Sequence, residues 1–248
     1  MMQSIDLNAD MGEYKNLAEQ QNEIALMPLV SSCSIACGGH TGTPETMRAT
    51  ARLAQKYGVQ IGAHPSYPDP DGFGRRSIEI SHKNLLESLT AQITGLFELL
   101  SREQIPMRHI KPHGSLYNDA AKTPALAAII ARAANGTPLI GPPNSALEQA
   151  AKDRGIKFFA EGFVDRLYLA SGALTPRSEN GAVIADIDVR ATQALAIAEK
   201  REFMASDGKL RISADTLCIH SDSEGAVETA KAVRTKLESA SFLIRSFS

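Results

Sequence analysis

The stretch Ile5-Asp-Leu-Asn-Ala-Asp10 alternates apolar and polar residues. In an extended strand this alternation puts all the polar side chains on one face, namely Asp6, Asn8 and Asp10. Two explanations for such a face stay open. The three residues either cap the following segment and satisfy backbone groups, as Asp and Asn do at strand ends, or they act in acid/base chemistry or bind a cation.

Five further apolar runs also end in residues that can do chemistry, and a helix-like segment follows each one. They are Ile35-Ala-Cys-Gly-Gly-His40, Val59-Gln-Ile-Gly-Ala-His64, His109-Ile-Lys-Pro-His113, Phe158-Phe-Ala-Glu161 and Leu217-Cys-Ile-His220. Strands that alternate with helices form a parallel sheet, and ligands bind outside the carboxyl ends of its strands. We therefore expect these residues to converge on one pocket.

The rest of the chain continues this rhythm. Strand-like segments lie near 4–8, 32–37, 59–63, 108–111, 138–140, 157–160 and 216–220, with a final apolar stretch at 242–245. Helical patterns cover roughly 17–30, 44–57, 82–101, 120–134, 145–154, 188–200 and 225–239. The chain has 248 residues, about the size of one closed α/β barrel, and no Pro/Ser-rich linker divides it. The sequence predicts an α/β fold in a single domain over residues 1–248.

Composition excludes several classes of function. The net charge is −2 with a pI near 6.3, and no basic stripe suits nucleic acid. The most apolar helical stretch, 126–134, is too short to span a membrane, and the first residues lack the pattern of a signal peptide. These features predict a cytoplasmic protein. Its cysteines are expected to be buried thiols outside any disulfide or metal site: Cys33, Cys37 and Cys218.

Two connections, from His64 to Ser81 and from Glu161 to Asp188, are too long to be simple turns, and loops of this length are usually functional. The first carries Arg75 and Arg76, and the second carries Asp165 and Arg166. Each arginine either forms an ion pair within its loop or binds a carboxylate or phosphoryl group.

Lys111 and His113 flank Pro112, which cannot donate to a strand ladder, so the chain is expected to leave the sheet there. Both side chains are then free to point at a ligand. Alternatively, Lys111 is the partner of a buried carboxylate. His82 and His109 are expected outside the site, the first at a solvent-facing helix start and the second at a strand entrance.

Seven motifs in order resemble the LamB/YcsF family. They are Asp6-Leu-Asn-Ala-Asp-Met-Gly-Glu13, Ser34-Ile-Ala-Cys-Gly-Gly-His40, Gly62-Ala-His-Pro-Ser-Tyr-Pro-Asp69, Gly72-Phe-Gly-Arg-Arg76, Lys111-Pro-His-Gly-Ser-Leu-Tyr-Asn118, Glu161-Gly-Phe-Val-Asp-Arg166 and Cys218-Ile-His220. The resemblance implies a distorted (β/α)7-type barrel like those of glycoside hydrolases and sugar deacetylases. It also implies ATP-dependent opening of 5-oxo-L-proline, or a related lactam, to L-glutamate together with two partner 5-oxoprolinase subunits.

Opening a lactam needs a nucleophile, a stabilised oxyanion and a proton for the leaving nitrogen. We expect Asp10 or His64 to activate water, Lys111 and Arg166 to hold the negative charge, and His113 to protonate the nitrogen. The residues expected to bind substrate are Asp6, Asn8, Glu13, His40, Arg75, Arg76, Glu161, Asp165, Arg166 and His220.

The resemblance to sugar deacetylases also suggests a divalent metal of unknown identity on Asp6, His40 and His64. These residues have no local metal-binding spacing, so a pocket without metal is an equal alternative. No phosphate-binding G-x-x-x-x-G-K-[ST] sequence is present, so ATP is expected on a partner subunit. Two other functions stay open: a stand-alone metal-dependent amide or acetyl hydrolase, and a non-catalytic subunit that binds substrate.

The chain departs from the usual family pattern at five positions: Ala9, Ser34, Gly39, Thr43 and Ser221. Thr43 stands at a position where the family often has Asp, so we expect a pocket carboxylate to be missing there. A divergent cyclic amide as substrate is then an alternative to 5-oxoproline.

Overall fold

Seven parallel strands close into a barrel in the computed structural model, which describes residues 3–177 and 179–247. In chain order the strands are β1 (Gln3–Met11), β2 (Ser32–Ala36), β3 (Gln60–His64), β4 (Met107–Ile110), β5 (Leu139–Gly141), β6 (Phe158–Phe163), β7 (Glu202–Ala205), β8 (Gly208–Arg211), β9 (Thr216–Cys218) and β10 (Phe242–Ile244). The barrel order is β1-β2-β3-β4-β5-β6-β9, and β9 pairs with β1 to close it. The predicted (β/α)7-type barrel is confirmed.

Helices follow the strands around the barrel. They are α1 (Leu17–Leu26), α2 (Pro44–Tyr57), α3 (His82–Arg102), α4 (Gly114–Lys122), α5 (Pro124–Ala134), α6 (Ala146–Asp153), α7 (Ile187–Ala198) and α8 (Ala226–Ser239). A short 3-10 helix, Met27–Leu29, extends α1. No helix within the described residues is long and apolar enough to cross a membrane.

The two faces of β1 show why this sequence forms a barrel. Leu7 and Ala9 are fully buried among the apolar residues that pack beneath the helices. The alternating polar residues Asp6, Asn8 and Asp10 are also buried, at 1%, 0% and 7% exposure. Because a barrel strand has one face toward the helices and one toward the axis, these polar groups lie inside the barrel. The interior is therefore polar along part of its length.

Two expectations about elements differ from the structure. The helix predicted over 120–134 is two helices, since Pro124 begins α5 after Thr123 ends α4. Pro lacks the N–H that a continuous helix requires, but it fits a first turn. The sequence did not reveal the antiparallel hairpin of β7 and β8, whose strands are short and half exposed.

Thr43 corrects a further expectation. It caps α2 by accepting a hydrogen bond from the backbone N–H of Thr46, in a reciprocal capping box. Its side chain is exposed and lies outside the cavity described below. The position therefore belongs to a helix start, and the expected loss of a pocket carboxylate there is wrong.

Candidate active site

A cavity of about 560 Å³ opens at the carboxyl ends of the barrel strands. Its inner wall includes Asp10 at the end of β1, His64 at the end of β3, Lys111 just after β4, and Glu161 on β6. The two long loops and the end of the β7–β8 hairpin form its outer wall. This volume lies within the range of about 300–1,000 Å³ that is usual for small-molecule sites. The predicted convergence of strand-end residues is thus observed.

Lys111 is a deeply buried cation of the site, with 2% of its side chain exposed. Its Nζ lies 2.9 Å from Asp10 Oδ1 and 2.7 Å from Glu161 Oε1. It also donates to Asn8 Oδ1 at 3.0 Å. Burial opposes the charged amine, but the charge of Asp10 and the further anionic contacts outweigh burial and raise the pKa of Lys111 well above its usual value. Lys111 is therefore a fixed positive charge.

Asp10 is correspondingly ionised in the resting protein. Burial alone would raise its pKa, yet the charges of His64 and Lys111 hold the pKa well below the usual range. His64 Nε2 lies 3.3 Å from Asp10 Oδ2. Burial disfavours the imidazolium form of His64, but Asp10 offsets that effect and the pKa of His64 is raised. Asp10 thus holds a lysine on one oxygen and a histidine on the other.

His64 and His113 are oriented by backbone carbonyls. His64 Nδ1 lies 2.8 Å from the carbonyl oxygen of Lys111, and His113 Nε2 lies 2.9 Å from that of Phe73. A carbonyl oxygen only accepts, so each of these ring nitrogens carries a proton. The other nitrogens, His64 Nε2 and His113 Nδ1, face each other at 2.9 Å. A cation must sit between them, either the proton of a charged His64 or a metal ion.

Glu13 completes this group. Its Oε1 lies 3.4 Å from His113 Nδ1 and 3.8 Å from His64 Nε2, and it accepts from His40 Nε2 at 2.8 Å. Burial is the main cause that raises the pKa of Glu13. Burial, followed by the charge of His64, lowers the pKa of His40 to about 2 and that of His113 to about 3. Both of those histidines are therefore neutral.

Glu13, His64 and His113 fit a divalent metal. Their facing atoms are 2.9, 3.4 and 3.8 Å apart, which brackets the roughly 3.3–3.4 Å edge of a tetrahedron with bonds of 2.0–2.1 Å. Two histidines and one glutamate form a ligand set of catalytic zinc, and ligating histidines usually donate their second N–H to a carbonyl. His40 lies in the same group and would orient Glu13, since its Nε2 donates to Glu13 Oε1 at 2.8 Å.

Asp6 does not reach this group, so its predicted place in the metal set is wrong. Its carboxylate accepts hydrogen bonds from Ser31, Ser32 and Thr216 in the barrel interior, and it is absent from the cavity wall. Burial is the main cause that raises its pKa to about 6. The alternation of β1 predicted the face of Asp6 correctly but not its depth. Asn8 lies on β1 between Asp6 in the barrel interior and Asp10 at the cavity, and its side-chain amide donates to both Glu161 and Thr216.

The two arginines of the first loop have different positions, since only Arg75 lines the cavity. Arg76 is mostly exposed, pairs with Asp69 within its own loop, and does not line the cavity, so its expected role in substrate binding is not supported by its position. Arg75 does line the cavity and pairs with Asp222 at its mouth. The loop lies close to α4, since Ser115 donates its backbone N–H to the carbonyl of Gly74 at 2.9 Å.

Asp165 and Arg166 do not pair with each other. Asp165 binds His220 Nδ1 at 2.8 Å and accepts from Ser223, and the charge of His220 outweighs burial to lower the pKa of Asp165 to about 2. Arg166 donates to two backbone carbonyls, those of Thr175 and Ala182. The alternative in which an ion pair between the two holds the loop is therefore wrong. Arg166 and His220 line the cavity.

Glu23 and Cys218 contact residues of the site, and the sequence did not predict either contact. Glu23 on α1 accepts the backbone N–H groups of Gly12 and Glu13 at 2.8 and 2.9 Å, which positions Glu13. His109, expected outside the site at a strand entrance, lies within β4, is fully buried 3.2 Å from the Ser34 hydroxyl, and does not line the cavity. Cys218 is a free, buried thiol as predicted, but it also contacts Lys111 Nζ at 3.2 Å. Glu23 is an acidic residue on a helix, and nothing in the sequence around it indicates that it accepts hydrogen bonds from the backbone of Glu13.

The fold and this cavity define a β/α barrel with a buried cluster of acidic and basic side chains at its strand ends. The LamB/YcsF family model matches residues 5–248, and the chain belongs to this family. A relative from Chloroflexus aggregans, which is named as the A subunit of 5-oxoprolinase, is 41% identical over 249 residues. The match covers 98% of this chain and 99% of the relative.

One solved structure agrees with the family assignment, and a second shares the fold. The lactam utilization protein from Thermus thermophilus is 39% identical and superposes with a TM-score of 0.89, covering 98% of this chain and 100% of that one. A candidate cellobiose-phosphate cleavage protein from Enterococcus faecalis has a TM-score of 0.61 at 15% identity, covering 99% of this chain and 98% of that one. At that identity the likeness concerns the fold alone.

Proposed function

We propose that this chain is one component of an ATP-dependent 5-oxoprolinase, which opens 5-oxo-L-proline to L-glutamate and hydrolyses ATP to ADP and phosphate. The observation that carries the proposal is the arrangement around Asp10 in the cavity, with Lys111 Nζ at 2.9 Å and His64 Nε2 at 3.3 Å. The names of relatives at about 40% identity support the choice of substrate.

Lactam hydrolysis would use these residues as follows. The oxygen of water forms a bond to the lactam carbonyl carbon while the ionised Asp10 carboxylate accepts a proton from that water. Negative charge develops on the carbonyl oxygen, and the Lys111 ammonium stabilises it inside a buried cavity, where charge interactions are strong. The ring C–N bond then breaks and the nitrogen needs a proton.

His64 is better suited than His113 to supply that proton. Neutral His113 has one N–H, and it donates that N–H to the carbonyl oxygen of Phe73. Charged His64 has a second N–H, on Nε2, which is directed toward Asp10 and His113. The proton-donor role expected of His113 therefore moves to His64 in this proposal, and His113 becomes the residue that orients it. The Glu13 carboxylate lies 3.8 Å from His64 Nε2 and would compensate the positive charge of His64.

ATP is expected on a partner subunit, since the chain contains no G-x-x-x-x-G-K-[ST] sequence. Transfer of the γ-phosphoryl group of ATP to the lactam oxygen, with ADP as the leaving group, would couple ATP hydrolysis to ring opening. After water attacks the activated carbon, cleavage of the ring C–N bond leaves an acyl phosphate, and a second water releases phosphate and L-glutamate. This division of labour predicts that the chain alone releases little glutamate from 5-oxoproline.

A second candidate function is a stand-alone metal-dependent amide hydrolase. The facing nitrogens of His64 and His113 beside Glu13 favour it. A divalent ion bound by these three residues would supply Lewis acidity. Turnover would then require no ATP and no partner.

The test is glutamate release assayed with this chain alone, with the partner subunits alone, and with all of them mixed, each with and without ATP. The proposal predicts release only from the complete mixture with ATP. Release by the chain alone without ATP would favour the metal-dependent hydrolase. A third candidate, a non-catalytic subunit that binds substrate, predicts that cavity variants change affinity but leave turnover at saturation unchanged.

A further inference from the structure

On the outer wall of the cavity, arginine side chains outnumber the carboxylates that pair with them. Four arginines line the cavity, namely Arg75, Arg166, Arg177 and Arg211. Asp222 at the mouth pairs with Arg75 and lies 3.4 Å from Arg177 Nη1. The other lining carboxylates, Asp10, Glu13 and Glu161, are engaged by the lysine and histidines of the inner wall. A second, separate recognition element is thus present in the same cavity.

Arg166 is the unusual member of this set. Its side chain is buried, at 6% exposure, and no carboxylate within the described residues lies within ion-pair distance of it. Nε and Nη2 donate to the carbonyls of Ala182 and Thr175, which fixes the plane of the guanidinium. Nη1 makes no hydrogen bond to the described part of the chain. A buried, unpaired guanidinium is costly unless it meets an anion.

Two neighbours of Arg166 point to the same ligand. Thr175 lines the cavity beside it, and its buried hydroxyl has no hydrogen-bond partner within residues 3–177 and 179–247. Arg177 adds a like charge that, after burial, helps to lower the pKa of Arg166 to about 10. Two cations held close together and an unsatisfied hydroxyl are the donors that an oxyanion requires.

We infer that Arg166, Thr175 and Arg177 form an oxyanion subsite that holds the carboxylate of a cyclic amide acid, so that the cavity selects charged over neutral lactams. The choice of ligand rests on the proposed function. A phosphoryl group offers the same oxyanion chemistry from a different source. Its binding is separated from carboxylate binding in the experiment below.

The experiment is isothermal titration calorimetry of the full chain with 5-oxo-L-proline, with 2-pyrrolidinone, which is the same ring without the carboxylate, and with inorganic phosphate. The variants are Arg177→Gln and Arg166→Lys. Arg166 also holds its loop through two carbonyls, whereas Arg177 is about one-third exposed and donates to Asp222 at the cavity mouth. Arg177→Gln therefore covers the case in which Arg166→Lys fails to fold. Exposed Arg132→Gln on α5 is the matched control.

The wild type should bind 5-oxoproline at least about tenfold more tightly than 2-pyrrolidinone, since a charge-assisted pair contributes that much or more. Arg177→Gln should reduce this preference to within about threefold without weakening 2-pyrrolidinone, and Arg132→Gln should keep it. Phosphate binding that the same variants abolish would also support the subsite and assign it to a phosphoryl group. The inference is overturned if neither oxyanion depends on these arginines, or if the chain binds neither. A failure of ATP-dependent glutamate release in the mixed assay would instead count against the proposed function.

Discussion

His64 Nε2 lies 2.9 Å from His113 Nδ1, while the other ring nitrogen of each histidine donates to a backbone carbonyl. The two histidines therefore hold one cation between them. In the proposed mechanism it is the proton that His64 delivers to the leaving nitrogen. The same position also defines where a divalent ion would bind, and that ligand set can be tested separately from catalysis.

Any divalent ion that binds near these histidines should use Glu13, His64 and His113. With Co²⁺ as the probe, Glu13→Gln and His113→Gln should each weaken binding by well over tenfold. His40→Gln should weaken it by about 10- to 100-fold, as loss of an orienting partner does. The readout is the visible absorption of bound Co²⁺. Asp6→Asn is the control and should bind Co²⁺ like the wild type; loss of binding in that variant would contradict this ligand set.

Lys111→Met should destabilise the protein by about 3–5 kcal/mol, because it leaves Asp10 and Glu161 as buried charges without their partner. Urea unfolding measures the loss, and Lys83→Met, at an exposed position, serves as the control. Adding Glu161→Gln to Lys111→Met should recover part of the stability, since one of the two uncompensated charges is removed. Equal stability of Lys111→Met and the wild type would show that the buried ion group is not formed.

Asp6 should make stability depend on pH. Its pKa is about 6 in the folded protein against 3.8 as the ordinary value, so the folded state binds the proton more tightly. The contribution of Asp6 to the free energy of unfolding is fully present below about pH 4 and is lost as the pH rises through about 6. Asp6→Asn should therefore gain up to about 3 kcal/mol relative to the wild type between pH 3 and 7. Unfolding at several pH values measures this, with exposed Asp71→Asn as control. A difference that stays constant with pH would contradict the burial of an ionisable Asp6.

Thr43→Asp should leave the KM for 5-oxoproline unchanged within about twofold, because Thr43 is an exposed helix cap and Asp caps equally well. Thr43→Ala should lower stability by about 1 kcal/mol without affecting KM. Kinetics of the reconstituted enzyme and thermal unfolding give these values. A tenfold change in KM for Thr43→Asp would return this position to the substrate pocket.

The sequence predicted the barrel well because its signals are local. The alternation of apolar and polar residues in β1, for example, is decided within a few residues. Strand-end positions also predicted that Asp10, His64 and Lys111 would meet, since parallel strands end at one edge of the sheet.

What the sequence did not predict depends on depth and on loop conformation. Asp6 and Asp10 share a face, but only the three-dimensional barrel shows that Asp6 lies among hydroxyls inside it and not at the cavity. Arg75 and Arg76 are adjacent in sequence, yet the turn that contains them sends one to Asp222 and the other to Asp69. Arg166 likewise binds carbonyls that lie several residues further along its own loop.

The most direct test of the account is the rate of glutamate release from 5-oxoproline by the complete subunit mixture with ATP, compared between the wild type and His64→Gln. Both proteins should show the same unfolding transition before assay. His64→Gln should lower kcat by about 100-fold or more, as expected for loss of a general acid, and omitting ATP should abolish release by the wild type. A folded His64→Gln protein that keeps a rate within about threefold of the wild type would contradict it, as would wild-type release that does not require ATP.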